Sequence, residues 1–147
     1  MRKFVLDTNI LLHYVRQSEL AQEVERELHL ISQNAIPMIA SVSIGEMEGF
    51  VQRQEWGQAK INRLKKLVEK IAVIDIAAAD DQLMNAYATL WNYSKNALPG
   101  DKLGKSIGIG QNDVWIAALA HTAKAALVTT DGDFDHLNGK CITVHKF

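Results

Sequence analysis

Four carboxylates, Asp7, Glu46, Asp113 and Asp131, stand where an apolar run gives way to a turn or where a helix begins. Gathered in one place, they would repel and raise one another's pKa. A hard divalent ion removes that conflict, because Mg2+ or Mn2+ takes oxygen ligands and keeps part of its water shell. Such an ion activates a water and stabilises a pentavalent phosphate, so the chemistry to expect is metal-assisted phosphate-ester hydrolysis. Asp133, two residues beyond Asp131, is the reserve for the fourth ligand position.

Taken singly, each acid has a structural explanation. Asp7 or Thr8 can cap a helix. Ser43-Ile-Gly-Glu46 fits a capping box, with Glu46 bonding back to the Ser43 amide. Asp113 at a helix start favours the macrodipole, and Asp131-Gly-Asp133 reads as a turn. The set favours a site over four coincidences. Asp113 opens an otherwise apolar helix, where a carboxylate needs a cation or hydrogen bonds nearby.

The elements that must position these groups follow from periodicity. Phe4–Leu6 reads as a buried strand leading into Asp7, and a helix follows over Ile10–Val15. Ser18 caps a second helix over Glu19–Gln33, with Leu20, Val24, Leu28 and Ile31 as its stripe. Pro37 breaks the chain before a strand at Met38–Ala40. Ser43 opens a helix carrying Ile44, Met47, Phe50 and Val51 on one face. Gly57–Lys70 is amphipathic, Ala72–Ile74 a strand, and Asp80–Asn96 a long helix. Pro99 and several glycines mark 97–111 as a loop. Asn112–Lys124 is apolar nearly all round and so central. Strands at Ala126–Thr129 and Ile142–Val144 complete the chain. Alternation of this kind predicts one α/β domain over residues 1–147, with a central, mainly parallel sheet of four to five short strands flanked by helices. In such sheets ligands bind beyond the carboxyl ends of the strands, where Asp7, Glu46 and Asp131 fall.

Four segments resemble the PIN-domain ribonucleases, and among them the VapC-type toxins of toxin–antitoxin pairs. They are Phe4-Val-Leu-Asp-Thr-Asn-Ile-Leu11, Ser41-Val-Ser-Ile-Gly-Glu-Met-Glu-Gly-Phe50, Asn112-Asp-Val-Trp-Ile-Ala-Ala118 and Val128-Thr-Thr-Asp-Gly-Asp-Phe134, in the family's order across nearly the whole chain. The resemblance implies that Asp7, Glu46 and Asp113 hold Mg2+ or Mn2+, with Asp131 at a more variable fourth position. It implies that Asn9 and Thr129 support the acids through hydrogen bonds. It also implies RNA as substrate, products with a 5′-phosphate and a 3′-hydroxyl, an antitoxin protein as partner, and a homodimer.

Net charge is −1, which argues against a uniformly basic nucleic-acid binder. Setting four of the 17 acids aside leaves 13 against 16 basic residues, so basic patches elsewhere can still steer phosphate. The apolar fraction of 48% and the charged fraction of 22% fit a globular chain without low-complexity tracts. No run resembles a signal peptide or membrane span, and the single Cys141 cannot form an internal disulfide; a cytoplasmic setting is expected.

The five histidines lack zinc-like spacing; His136 near the acidic turn reads as a surface residue. Asp131-Gly-Asp133-Phe-Asp135 lacks the glycine and glutamate of a calcium loop. Trp115 is expected in the core. Lys102 and Lys105, and the basic face over Lys60–Lys70, read as solvated surface. Two alternatives to a ribonuclease stay open. A haloacid dehalogenase-type phosphatase also begins with an aspartate after a first strand, but wants a second where Asn9 stands. A non-catalytic RNA-binding PIN domain would have no need to keep all four acids.

Overall fold

The computed structural model of the chain describes residues 1–78 and 80–147. Five parallel strands form one sheet in the order β3-β2-β1-β4-β5: β1 is Arg2–Leu6, β2 Ala35–Ala40, β3 Ala72–Ile74, β4 Ala126–Thr129 and β5 Val144–Lys146. Helices α1 (Thr8–Arg16) and α2 (Glu19–Leu28) link β1 to β2, α3 (Ser41–Arg53) and α4 (Gln58–Val68) link β2 to β3, and α5 (Asp81–Ser94) and α6 (Gln111–Ala123) link β3 to β4.

The central strands β1, β2 and β4 are buried on both faces where the helices cover them, which explains apolar runs rather than alternations; the edge strands β3 and β5 are half-buried or exposed. Phe4, Leu6, Ile39 and Val128 pack with α1 to α4 on one side. Val5, Met38, Ala40 and Leu127 pack with α5 and α6 on the other. As expected, α6 is central: Val114 and Ile116–Ala120 are all buried. The chain runs outward from β1 to β2 and β3, then returns to place β4 on the other side of β1. The order therefore reverses between β1 and β4, and such a reversal opens a crevice at the strands' carboxyl ends.

Several boundaries differ from expectation, each for a local reason. α2 stops at Leu28, not Gln33, with His29 left-handed (φ 52°). The Glu25 carboxylate accepts hydrogen bonds from the Ile31 and Ser32 amides, the Ser32 hydroxyl and the Tyr14 hydroxyl (2.6 Å). It thus takes amides that a continuing helix would have used. Burial works against the Glu25 charge, yet these bonds hold its carboxyl below the usual glutamate value. β2 begins before Pro37, because β3 pairs only from Met38 onward and the strand is a local edge there. α3 starts at Ser41 with Ala40 as its cap. β5 lies two residues beyond the expected Ile142–Val144. Ile142 is instead spent in a tight turn, its amide donating to the Leu137 carbonyl and its carbonyl accepting from Gly139 (φ +76°).

The loop before α6 is tied to α5. Lys95 Nζ donates to the Ile107 and Ile109 carbonyls, and Asn96 Oδ1 accepts from the Gly104 amide. Lys102 donates to the Asn96 carbonyl at 3.4 Å. Trp115 is half-buried rather than core, its ring stacked on Tyr87 at 4.0 Å. Among the described residues, no helix is long and apolar enough to cross a membrane.

Candidate metal centre

The crevice between β1 and β4 collects the acids. Asp7 leaves β1 in extended conformation and caps α1: its Oδ1 accepts from the Thr8 amide at 2.8 Å. Its Oδ2 accepts from the Thr129 hydroxyl at 2.7 Å, and its amide donates to the Val128 carbonyl. Asp7 is only 4% exposed. Burial raises its pKa; the bonds from Thr129 and Thr8 oppose the rise, and the charges of Glu46 and Asp131 add to it. The net shift is upward.

Thr129 is fully buried and serves two acids, because its Oγ1 also accepts from the Asp131 amide at 3.0 Å. The support expected from Asn9 comes instead from its neighbour. Among the described residues no hydrogen bond joins the Asn9 side chain to an acid, whereas Thr8 Oγ1 lies 3.0 Å from Glu46 Oε1 and 2.9 Å from Ser43 Oγ. Thr8 has one hydroxyl proton and a carboxylate is the stronger acceptor, so Thr8 donates to Glu46 and Ser43 donates to Thr8. This arrangement replaces the capping box. Ser43 already lies inside α3, and the bond found for Glu46 runs across to α1.

Asp113 sits in the first turn of α6, half-buried. Asp131 caps the 3₁₀ turn Gly132–Leu137, its Oδ1 accepting from the Asp133 amide at 2.9 Å. Carboxylate oxygens of Asp113, Asp131 and Asp133 lie within 4.8 Å of one another. The reserve residue thus stands beside Asp131 rather than in its place. Asp113 is pushed up to about 7, by burial first and then by the charges of Asp7, Asp131, Glu46 and Asp133. The other four acids thus all bear on Asp113. Beside them, Glu46, Asp113 and residues 110–112 line a shallow hollow of about 400 Å³ at the start of α6. Gly110, the cap of α6, provides no side chain to bond its first amides.

Two residues that the sequence does not single out as partners fix the acidic turn. Ser94, the last residue of α5, is fully buried, and its Oγ lies 2.7 Å from His136 Nε2. That contact joins the end of α5 to the 3₁₀ turn that carries Asp133. The ring also stacks on Tyr93 at 6.2 Å. Burial lowers the His136 pKa, against hydrogen bonding to the Asp133 backbone and the charges of Asp133 and Asp135. His136 is thus a half-buried tie between α5 and the turn, not a surface histidine.

The donor set suits a hard cation. It is all oxygen and crowded with like charge, and hydrogen bonds hold Asp7, Glu46 and Asp131 in place. No curated protein sequence matches the chain. Its fold is similar to solved structures of toxin–antitoxin complexes. A chain of VapBC2 from Rickettsia felis, bound to a promoter DNA fragment, aligns with a TM-score of 0.75 at 20% identity, covering 99% of this chain and 98% of that one. A chain of VapBC-1 from nontypeable Haemophilus influenzae aligns at 0.73 and 19% identity, covering 98% and 97%. One of VapBC-5 from Mycobacterium tuberculosis aligns at 0.65 and 18%, covering 100% and 98%. The PIN domain model matches residues 4–140, and the chain belongs to the PIN domain family.

Proposed function

We propose that this chain is a metal-dependent endoribonuclease, the toxin of a VapBC-type pair, with Asp7, Glu46, Asp113, Asp131 and Asp133 forming its metal centre. The observation that carries the reading is the convergence of Asp113, Asp131 and Asp133 within 4.8 Å, with Asp7 and Glu46 adding their charge. PIN family membership supports a nuclease over the phosphatase alternative. The intact set of acids favours a catalytic over a purely binding role. Likeness in fold to chains of VapBC complexes supports an antitoxin partner acting in the same cell.

In this reading Asp113, Asp131 and Asp133 hold Mg2+ or Mn2+, with Asp7 and Glu46 completing the charge around it. The ion supplies Lewis acidity, which makes a water nucleophilic near neutral pH and offsets charge developing on the phosphate. The chain's own part is orientation. Thr129 and the Thr8 amide fix both oxygens of Asp7, Thr8 fixes Glu46, and the 131–133 turn is tied down by His136 and Ser94. The first residues of α6 line the adjoining hollow, and no cap side chain occupies their amides, which would be available to non-bridging phosphate oxygens. To hold a cation Asp113 would be ionised, because ligation requires the carboxylate. Hydrolysis leaves a 5′-phosphate and a 3′-hydroxyl. Two copies pair in this proposal, supported by the exposed Met84 and the half-buried Tyr87 and Trp91 on α5.

The test is incubation of the purified protein with structured RNA and Mg2+ or Mn2+, with and without chelator, beside Asp113→Asn. Cleavage lost in both the chelator and the variant is expected. Cleavage that survives both overturns the metal centre, and activity confined to small phosphomonoesters returns the phosphatase.

A further inference from the structure

A second concavity, larger than the hollow at the acids, lies at the opposite end of the sheet. It is a trough of about 880 Å³ between the start of β1, the last turn of α6 and the segment entering β5. Six basic side chains line it: Arg2, Lys3, His121, Lys124, Lys140 and His145. Among the described residues that line it, none is a carboxylate. In a chain of net charge −1 this is a segregation, with five acids gathered at one pole and four cations and two histidines at the other.

Two of the cations are positioned without being neutralised. The Arg2 guanidinium donates to the Leu28 carbonyl at 2.9 Å and lies 5.3 Å from the Phe4 ring centroid. Lys3 Nζ donates to the Ala123 carbonyl at 3.4 Å. A carbonyl orients a cation but leaves its charge for a ligand. Lys140 is paired with Asp101 at 3.0 Å, and both side chains are more than 40% exposed, so a phosphate can compete for it. The basic face of α4 is different, because the hollow it borders also carries the Glu25 carboxylate.

The ligand class follows from the two poles. The acidic pole repels phosphate until a cation neutralises it, so affinity for a long RNA must come from positive charge elsewhere. β1 connects the poles: Arg2 and Asp7 are five residues apart, roughly 17 Å along a strand at 3.3–3.4 Å per residue. That is the separation through the core, so a strand with a phosphate about every 3.4 Å needs more than about five phosphates to reach from one pole to the other over the surface. We propose that the trough is a second RNA-binding surface, which holds the phosphodiester backbone of a long substrate away from the cleavage site. This rests on the ribonuclease reading for its choice of RNA; an acidic polypeptide is the competing ligand.

The experiment is a binding titration in chelator, so that no turnover occurs, using a labelled RNA of about 30 nucleotides over a range of KCl. Replacing two phosphate-binding lysines, in Lys3→Gln/Lys124→Gln, is expected to weaken binding about tenfold and to reduce the slope of log K against log salt by about 1.4. Cys141 is the only cysteine and lines the trough, so saturating RNA is expected to slow its alkylation severalfold. Unchanged affinity and slope in the variant overturn the proposal. So does alkylation of Cys141 that saturating RNA leaves unslowed, or tighter binding of polyglutamate of equal length. Failure of the nuclease reading is separately visible: the unaltered chain then cleaves no RNA with Mg2+ or Mn2+, while the binding and protection results still decide the trough.

Discussion

The Thr129 hydroxyl donates to Asp7 Oδ2 at 2.7 Å, across 122 residues of sequence, and both residues are buried. That bond joins the end of β4 to the end of β1 at the point where the strand order reverses. The same oxygen accepts the Asp131 amide, so one hydroxyl fixes acids from two elements. Thr129→Val keeps the shape but leaves a buried carboxylate oxygen without its donor. A stability loss of about 1–3 kcal/mol is expected from urea unfolding, together with weaker Mn2+ binding by calorimetry. Thr129→Ser restores most of both.

Burial of Asp113, reinforced by the charges crowded around it, makes the metal-free protein pH-sensitive. Its folded-state pKa, about 7, stands above the ordinary 3.8. Below the ordinary value both folded and unfolded chains hold the proton, and nothing is lost. As pH rises towards 7 the unfolded chain ionises first, so stability falls through that window. Asp113→Asn removes this slope. In chelator at pH 8 the variant is expected to be more stable than the unaltered chain by on the order of 1–2 kcal/mol, discounted from the full shift because the group is part-exposed. The difference should vanish near pH 4. Equal slopes for the two proteins in thermal melts across this range would refute the assignment.

Added divalent ion should reverse that order. Binding to the folded state alone stabilises by about 2.7 kcal/mol at a hundredfold excess over Kd. For a chain of this size that is a rise of several degrees in Tm. Mg2+ or Mn2+ is expected to raise the Tm of the unaltered protein, and chelator to abolish the rise. Asp131→Asn and Asp133→Asn, measured separately, show whether both aspartates of the turn contribute; a rise undiminished in Asp133→Asn removes that residue from the ligand set.

The Ser94–His136 tie predicts coupling between residues 42 positions apart. Ser94→Ala and His136→Ala each are expected to weaken Mn2+ binding about tenfold, as residues that orient metal ligands do. The double variant should be little worse than either single one, because both break the same bond. Strictly additive losses in the two single variants would mean that they act separately.

Much of this organisation was legible in the residues themselves. β1, β4, α5 and α6 follow from apolar runs and periodicity, since burial on both faces of the central strands leaves a plain signal; β3 follows from its apolar run alone, although Ala72 and Val73 are exposed. Asp7 and Asp113 stand out because a carboxylate interrupts an apolar segment. What escaped were contacts between elements distant in sequence. The Ser43–Glu46 spacing suits a capping box, yet Thr8, from a different helix, claims that carboxylate. Nothing in the spacing of Ser94 and His136 marks them as partners. The end of α2 was hidden because its apolar stripe continues to Ile31, while the deciding event is a polar one at Glu25. Ile142 likewise reads as strand because it is buried, although its backbone closes a turn.

The sheet has three-residue strands at both edges, β3 and β5. Their brevity limits how another chain can approach. A peptide laid alongside either edge gains only a few main-chain bonds, too few to anchor it by strand addition. A protein that silences or recruits this chain must therefore read side chains on its helices. Its selectivity then resides in surface residues that can vary without disturbing the sheet or the acids behind it.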